Sequence, residues 1–169
     1  MTTNSIKIAH DALLANKLTI SCAESLTSGL LQSNLSTMSG SSKYFIGGVT
    51  AYAIAAKASL LGVNKQEAIA CNAVSESVAT AMASGCANLF ATDIALATTG
   101  YAEAYTDDNG VSYEQEVFVA LWSKGIQLNR RLSAADLNGL DRLGVQQLTA
   151  SVAIEMLLEQ LSYNEASKS

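Results

Sequence analysis

The chain has 169 residues, of which 49% are hydrophobic and 15% are charged. A chain of this length can bury one substantial core, so the composition predicts a single domain over residues 1–162, followed by a loose tail over 163–169. The formal net charge of −5 leaves no broad cationic face for a phosphate backbone, which excludes nucleic acid as an expected partner. A membrane is excluded as well, because no apolar run approaches the roughly 18 residues of a spanning helix.

Cysteine and histidine usage limits the chemistry further. The three cysteines, Cys22, Cys71 and Cys86, form no C-x-x-C pair and leave an odd number, which favours free thiols in a reducing compartment. The first 18 residues lack the basic start and cleavage site of a signal peptide, so we expect a cytoplasmic protein. The single histidine, His10, has no partner cluster, and a structural or solvated role is expected for it. We expect neither a metal nor a cofactor, because no ligand cluster or nucleotide-binding fingerprint is present.

The first half of the chain alternates between helical and strand-like patterns. Apolar residues recur at helical spacing from Ile6 to Leu14, and a short apolar run then predicts a buried strand. Gly47 and Gly48 lie inside the next strand-like run, where glycine often indicates a bulge or a close backbone approach. The predicted elements are a helix through residues 6–14, a strand over 18–22, a helix over 27–37, a strand over 44–52 and a helix over 53–61.

The second half continues the alternation. Ser75 is a good helix N-cap, and Glu76 suits the first turn of the helix that follows. The turn residues 108–110 predict a hairpin, and residues 123–125 predict a turn between two longer strands. The predicted strands cover 94–98, 117–122 and 126–132, and a last helix covers about 140–161 with Leu143, Leu148, Val152, Met156 and Leu157 on one side. Alternating strands and helices without repeats predict an α/β fold, a single three-layer α/β/α sandwich.

Candidate chemical residues follow the predicted strands. Residues 19–35, TISCAESLTSGLLQSNL, place Ser25 where a strand gives way to a helix, a corner at which α/β proteins expose nucleophiles and bind anions. Without a usable histidine, a serine nucleophile needs another base, and a lysine of lowered pKa is the usual substitute. Tyr52 and Lys57 follow the second strand, and Thr99 closes the third. A structural alternative remains open for each candidate. Ser25 is then a helix cap and Tyr52 a core aromatic, whereas Lys57 is a surface charge and Thr99 an ordinary strand residue.

Several ordered motifs resemble one known family. CAESLTSG, GSSKYFIGGVTAYAIAAKASLLGV, NAVSESVATAMASGC and ATTGYA occur in that order and at sensible spacing. They resemble the competence/damage-inducible protein CinA family, specifically its C-terminal nicotinamide-nucleotide amidase domain. The resemblance covers about residues 4–161 and implies a CinA C-terminal-like fold.

The resemblance also implies an activity, the hydrolysis of nicotinamide mononucleotide to nicotinic acid mononucleotide and ammonia. Ser25 is then the nucleophile, Lys57 its proton acceptor, and Tyr52 a relay toward the leaving ammonia. The other residues implied are Thr99 in catalysis and Thr27, Gly29, Gly100 and Arg142 in substrate binding, where Arg142 of the Asp141-Arg142 pair suits a phosphate. The implied partners are a small-molecule nucleotide and a second copy of the chain, as a homodimer.

The sequence departs from the family pattern in ways that bear on function. Ile54 and Ala55 replace an asparagine and a glutamate between the tyrosine and the lysine, and Gln146 replaces a second arginine. Residues 101–116 are acidic and aromatic where the family has a loop rich in glycine and proline. Bulk and negative charge there would hinder a phosphate. Three hypotheses follow: an active nicotinamide mononucleotide amidase, an enzyme shifted to another small amide, and a catalytically silent paralogue that binds a ligand or a protein.

Overall fold

The structure is a computed structural model that describes residues 3–166, with side chains described for residues 4–163. Its centre is a five-stranded sheet with the order β2-β1-β3-β6-β7. β1 is parallel to β2 and to β3, whereas β6 is antiparallel to β3 and to β7. The five strands are β1 (Ile20–Glu24), β2 (Phe45–Thr50), β3 (Ile94–Tyr101), β6 (Glu116–Ser123) and β7 (Ile126–Leu132). A separate two-stranded hairpin consists of β4 (Tyr105–Thr106) and β5 (Ser112–Tyr113).

Helices cover both faces of the sheet, which confirms the predicted three-layer α/β/α sandwich. One face carries α1 (Thr3–Asn16), α2 (Leu30–Ser36) and α6 (Arg142–Ala166), and the other carries α3 (Ile54–Leu61), α4 (Lys65–Ala70) and α5 (Glu76–Phe90). Within the described residues, no helix combines the length and the apolarity that crossing a bilayer requires.

Side chains alternate along each strand between two separate cores. On the face of α1 and α6 the strands contribute large residues such as Ile20, Leu96 and Val119. On the face of α5 they contribute small residues such as Ala97 and Ala120. Because successive strand residues point to opposite faces, this division sets the register of the sheet against both helical layers. The small side chains allow α5 to lie close to the sheet.

Gly85 allows a close approach between α5 and α3. A Cβ atom at this position would overlap the backbone carbonyl of Leu61 at the end of α3. Replacement of an exposed helical glycine by alanine normally stabilises a protein by about 1 kcal/mol. Here we expect Gly85→Ala to lower the free energy of unfolding by about 1–3 kcal/mol, because the two helices must separate.

Urea denaturation of the wild type, Gly85→Ala and the adjacent Ser84→Ala measures this effect. Ser84→Ala yields the same residue one position earlier and adds no atom, so we expect a small change. An unfolding midpoint for Gly85→Ala at or above that of the wild type would contradict the close approach.

Several predicted boundaries were wrong for identifiable reasons. β1 begins and ends two residues later than predicted, at Ile20 and at Glu24, and Glu24 is fully buried in spite of its charge. β3 continues to Tyr101 along its antiparallel partner β6. Leu143 does not belong to the buried side of α6, since it is 56% exposed. α6 itself continues to Ala166, past the predicted end of the last helix at residue 161. The domain boundary at residue 162 stays a prediction, and residues 167–169 of the predicted tail lie outside the described residues.

Candidate active site

The turn after β1 is organised by Glu24. Its buried carboxylate accepts hydrogen bonds from three backbone N–H groups at the start of α2, those of Gly29, Leu31 and Gln32. The turn passes through the left-handed region at Ser28, with φ of 50°, and at Gly29, with φ of 102°. Helix N-termini leave N–H groups without intrahelical partners, and here a carboxylate from the sheet satisfies them. Ser25 is therefore not the cap of α2, and its hydroxyl is left for another role.

Ser25 lies at the end of β1 and contacts Lys57. The Ser25 N–H donates to the carbonyl of Thr98 at 3.0 Å, which holds the residue at the edge of the sheet. Its hydroxyl lies 2.9 Å from Lys57 Nζ. Both side chains are buried, Lys57 to 1% exposure and Ser25 to 7%. The alternative of a surface lysine is wrong, and the two residues form a buried serine–lysine pair.

Three acceptors surround the Lys57 amine. Besides Ser25 Oγ, Nζ donates to the backbone carbonyls of Ala51 at 2.9 Å and of Tyr52 at 2.8 Å. Burial lowers the pKa of Lys57 from 10.5 to about 8. When the amine is neutral, the two carbonyls can retain its two N–H groups. Its lone pair then faces the hydroxyl of Ser25, which is the arrangement of a base beside a nucleophile.

Register explains why the pair forms. Glu24 and Thr50 are paired residues at the ends of the parallel strands β1 and β2. The residues that follow them, Ser25 and Ala51, therefore leave the sheet side by side. α3 begins at Ile54, and its first turn returns Lys57 to the same edge.

Tyr52 and Arg142 lie above the serine–lysine pair. The Tyr52 side chain is 58% exposed, so it is not a core aromatic. The Tyr52 hydroxyl accepts a hydrogen bond from Arg142 Nη2 at 3.0 Å. Lys57 contacts the backbone carbonyl of Tyr52 and not its hydroxyl. A proton relay through the Tyr52 hydroxyl stays a prediction.

The two threonines at the end of β3 hold the surrounding backbone. Thr99 Oγ1 donates to the carbonyl of Ala73 at 2.7 Å, which fixes the loop before α5. Thr98 and Thr27 share a hydroxyl hydrogen bond of 2.8 Å beneath the turn. At Gly100 a Cβ atom would lie 2.8 Å from Val117 Cα, so glycine is needed for the approach of β3 to β6. A direct role of Thr99 in catalysis, or of Thr27, Gly29 and Gly100 in substrate binding, stays a prediction.

Ser25 and Lys57 line a cavity of about 730 Å³. Its walls include Thr99 and Gly100 from β3 and Arg142 from α6. Of the predicted site residues, Ser25, Tyr52, Lys57, Thr99, Gly100 and Arg142 line it, whereas Thr27 and Gly29 belong to the turn behind Ser25. A cavity of this size is within the range of small-molecule sites.

The sequence prediction missed three residues of the site. Glu24 anchors the turn, Gln146 Nε2 donates to the carbonyl of Leu26 at 2.7 Å, and Glu103 pairs with Arg142 at 3.1 Å. For Glu24 the local pattern indicated the opposite, because a carboxylate at the end of an apolar strand is normally exposed. The other two contacts join distant parts of the chain and left no local pattern.

An aromatic cluster borders the cavity beside Glu103. Tyr105 and Tyr113 stack with ring centroids 4.9 Å apart, and Tyr101 contacts both rings at 5.4 and 5.2 Å. Asn72 Nδ2 donates to the Tyr105 hydroxyl at 2.6 Å. Burial raises the pKa of Tyr101 to about 12, so its hydroxyl stays protonated at neutral pH. No group of three or more histidine, cysteine or carboxylate side chains within the described part of the chain could hold a metal ion.

The fold and the site define an α/β sandwich protein with a buried serine–lysine pair at the base of a cavity. The family model for the CinA C-terminal domain matches residues 2–161. The chain therefore belongs to the CinA family, and the resemblance noted in the motifs is confirmed.

Individual relatives support the same assignment. The CinA-like protein of Mycolicibacterium gilvum is 39% identical over 151 residues, which cover 89% of this chain and 35% of that protein. A Mycoplasma pneumoniae relative is 34% identical over 156 residues, which cover 92% of this chain and 98% of that protein. The chain thus spans about a third of the length of the first relative and nearly all of the second.

Two solved structures share the fold. The CinA superfamily protein of Klebsiella pneumoniae has a TM-score of 0.84 at 26% identity, with 95% of this chain and 97% of that chain covered. The competence/damage inducible protein of Agrobacterium tumefaciens has a TM-score of 0.82 at 26% identity, with 96% and 98% covered.

Proposed function

We propose that the protein is an amidohydrolase that cleaves the carboxamide of a nicotinamide nucleotide, with nicotinamide mononucleotide as the reference substrate. The observation that carries the proposal is the hydrogen bond of 2.9 Å between Lys57 Nζ and Ser25 Oγ. A lysine buried without a carboxylate partner costs free energy, and a pKa of about 8 makes Lys57 a usable base near neutral pH. That cost favours a catalytic role for the amine over a purely structural one as the donor to the carbonyls of Ala51 and Tyr52.

The reaction proceeds in two stages. Neutral Lys57 accepts the proton of Ser25 while Oγ attacks the amide carbon, and a tetrahedral oxyanion forms. When the C–N bond breaks, the Lys57 ammonium returns a proton to the leaving nitrogen, and ammonia departs from an acyl-serine ester. Water then attacks the ester with Lys57 again as the base, which releases the acid and restores the Ser25 hydroxyl. The overall change is amide plus water to acid plus ammonia.

Backbone N–H groups next to Ser25 suit the oxyanion. Leu26 lines the cavity directly after Ser25. Among the described residues, the N–H groups of Leu26 and Thr27 have no hydrogen-bond acceptor, whereas the N–H of Ser28 donates to the Ser25 carbonyl. Prearranged N–H donors of this kind stabilise developing negative charge without reorganisation. The bond from Gln146 to the Leu26 carbonyl holds this short segment in place.

Product analysis tests the proposal. Purified protein is incubated with nicotinamide mononucleotide, ammonia is measured enzymatically, and nicotinic acid mononucleotide is measured by chromatography. We expect both products in equal amounts. If folded protein released ammonia neither from this nucleotide nor from a panel of related pyridine carboxamides, the proposal would be wrong.

A specific observation favours a second candidate, an amidase of the same mechanism acting on a different amide. Arg142, the residue expected to meet a phosphate, already forms an ion pair with Glu103 at 3.1 Å. The same panel distinguishes the two candidates, because a shifted enzyme releases ammonia from another amide faster than from the mononucleotide.

A further inference from the structure

We infer that Glu103 is a specificity-determining residue that takes the place of an anion on Arg142, so that the site prefers cationic pyridine carboxamides without a phosphate. The inference rests on the amidase mechanism that both proposed functions share, and it names the substrate class that this chain selects. One wall of the cavity attracts a flat cation and repels a terminal phosphate.

The guanidinium of Arg142 contacts Glu103 and Tyr52. Nη1 donates to Glu103 Oε2 at 3.1 Å, and Nη2 donates to the Tyr52 hydroxyl at 3.0 Å. Both terminal nitrogens of the guanidinium, the atoms that would grip a phosphate bidentately, thus already have acceptors. Pairing with Glu103 is also the largest cause that raises the pKa of Arg142. A phosphate that reaches Arg142 must first displace a carboxylate.

The segment that contains Glu103, residues 101–116, is rich in negative charge. Residues 101–116 contain no lysine or arginine and five acidic residues, Glu103, Asp107, Asp108, Glu114 and Glu116, of which Glu116 is paired with Arg131 of β7. Among the described residues that line the cavity, the positive side chains are Lys57, which is buried against Ser25, and Arg142, which is paired. A dianionic phosphate at the mouth therefore meets a compensated arginine and a negative segment, whereas a cation is attracted there.

Tyrosine side chains line the cavity next to Glu103. Tyr101 and Tyr105 both line the cavity, and Tyr113 stacks behind Tyr105 at 4.9 Å. The hydrogen bond from Asn72 fixes the Tyr105 ring in place. Aromatic rings bind flat cations through their electron-rich faces, and a pyridinium ring is both flat and cationic. The hairpin thus offers cation recognition at the same place where it opposes the phosphate.

Kinetics with a matched pair of substrates test the inference. Nicotinamide mononucleotide and nicotinamide riboside share the pyridinium carboxamide and differ by the phosphate. For the wild type we expect kcat/KM to be higher for the riboside. In Glu103→Gln the ratio of kcat/KM for the nucleotide to that for the riboside should rise about tenfold or more, because Arg142 is released for the phosphate.

Glu114→Gln is the matched control. It removes the same charge from the same hairpin at an exposed position that does not line the cavity. We expect its substrate ratio to stay within about twofold of the wild type, since exposed charges away from the site are screened. A wild type that prefers the nucleotide, or equal ratios in Glu103→Gln and Glu114→Gln, would overturn the inference.

Binding separates this inference from the amidase proposal. Calorimetric titration of Ser25→Ala with the riboside and with the nucleotide measures the preference without turnover. Tighter binding of the riboside that is reversed in Ser25→Ala/Glu103→Gln supports the role of Glu103 even if no amide is cleaved. Tighter binding of the nucleotide to Ser25→Ala refutes that role even if the amidase activity is real.

Discussion

Replacement of Ser25 by alanine is expected to lower kcat for amide hydrolysis by about six orders of magnitude, the loss found when the nucleophile is removed from a serine hydrolase. The physical reason is that Lys57 then has no hydroxyl to deprotonate at 2.9 Å, and no acyl-enzyme can form. The loss corresponds to about 8 kcal/mol of transition-state stabilisation. Steady-state ammonia release from the purified variants measures it.

Ser33→Ala is the control for this variant. Ser33 lies on the exposed side of α2, the helix that follows Ser25, so it undergoes the same substitution away from the cavity. We expect full activity and an unchanged melting temperature. Mass spectrometry of quenched wild-type reactions should find the acyl group on the peptide that contains Ser25. Activity of Ser25→Ala within tenfold of the wild type would remove this residue from the mechanism.

Lys57→Met is expected to lower kcat by about 10²- to 10⁴-fold, the usual contribution of a positioned general base. Methionine has a similar length and suits a side chain that is 1% exposed, so the fold should survive. The carbonyls of Ala51 and Tyr52 lose a donor, which costs stability, but the unfavourable burial of an amine is removed. Lys65→Met, the same change at an exposed position in α4, should retain full activity.

The pH profile gives an independent test of Lys57. Burial lowers its pKa to about 8, and the neutral amine is the active form, so kcat should rise tenfold per unit below pH 8 and level off above it. Because the folded pKa lies below the ordinary value of 10.5, the unfolded state binds more protons between these values. Stability should therefore increase with pH across that window, and this increase should be absent in Lys57→Met. A rate that is flat between pH 6 and 9 would exclude Lys57 as the base.

A general rule of parallel sheets makes Ser25 and Lys57 candidates for the same site, and the family resemblance implies that they act together. Ser25 and Lys57 are far apart in the chain, but each follows a strand, and parallel strands end at the same edge. The pairing of Glu24 with Thr50 makes that edge common to both residues. The three-layer arrangement is predictable for the same reason, since it depends on strands and helices that alternate along the chain.

Contacts between distant side chains were not predictable in this way. Neither residue of the Glu103–Arg142 pair has a local pattern that indicates the other, and they are joined only when α6 packs beside β3. The burial of Glu24 was missed because a carboxylate normally indicates an exposed position, and three backbone N–H groups reverse that preference here. The hydroxyl of Tyr52 contacts Arg142 rather than Lys57, and the order of residues along the chain does not decide between these partners.

Glu24 anchors the turn that carries Ser25 from within the sheet. The hydrogen bonds that position Ser25 and Lys57 come from β1, β3 and the residues that follow β2, and none of them involves residues 102–116. Residues 102–116 are linked to the serine–lysine pair through side chains, by the hydrogen bonds of Glu103 with Arg142 and of Arg142 with Tyr52. Exchange of residues 102–116 for the corresponding segment of a relative should therefore transfer the ligand preference of that relative, while Ser25 and Lys57 keep their positions.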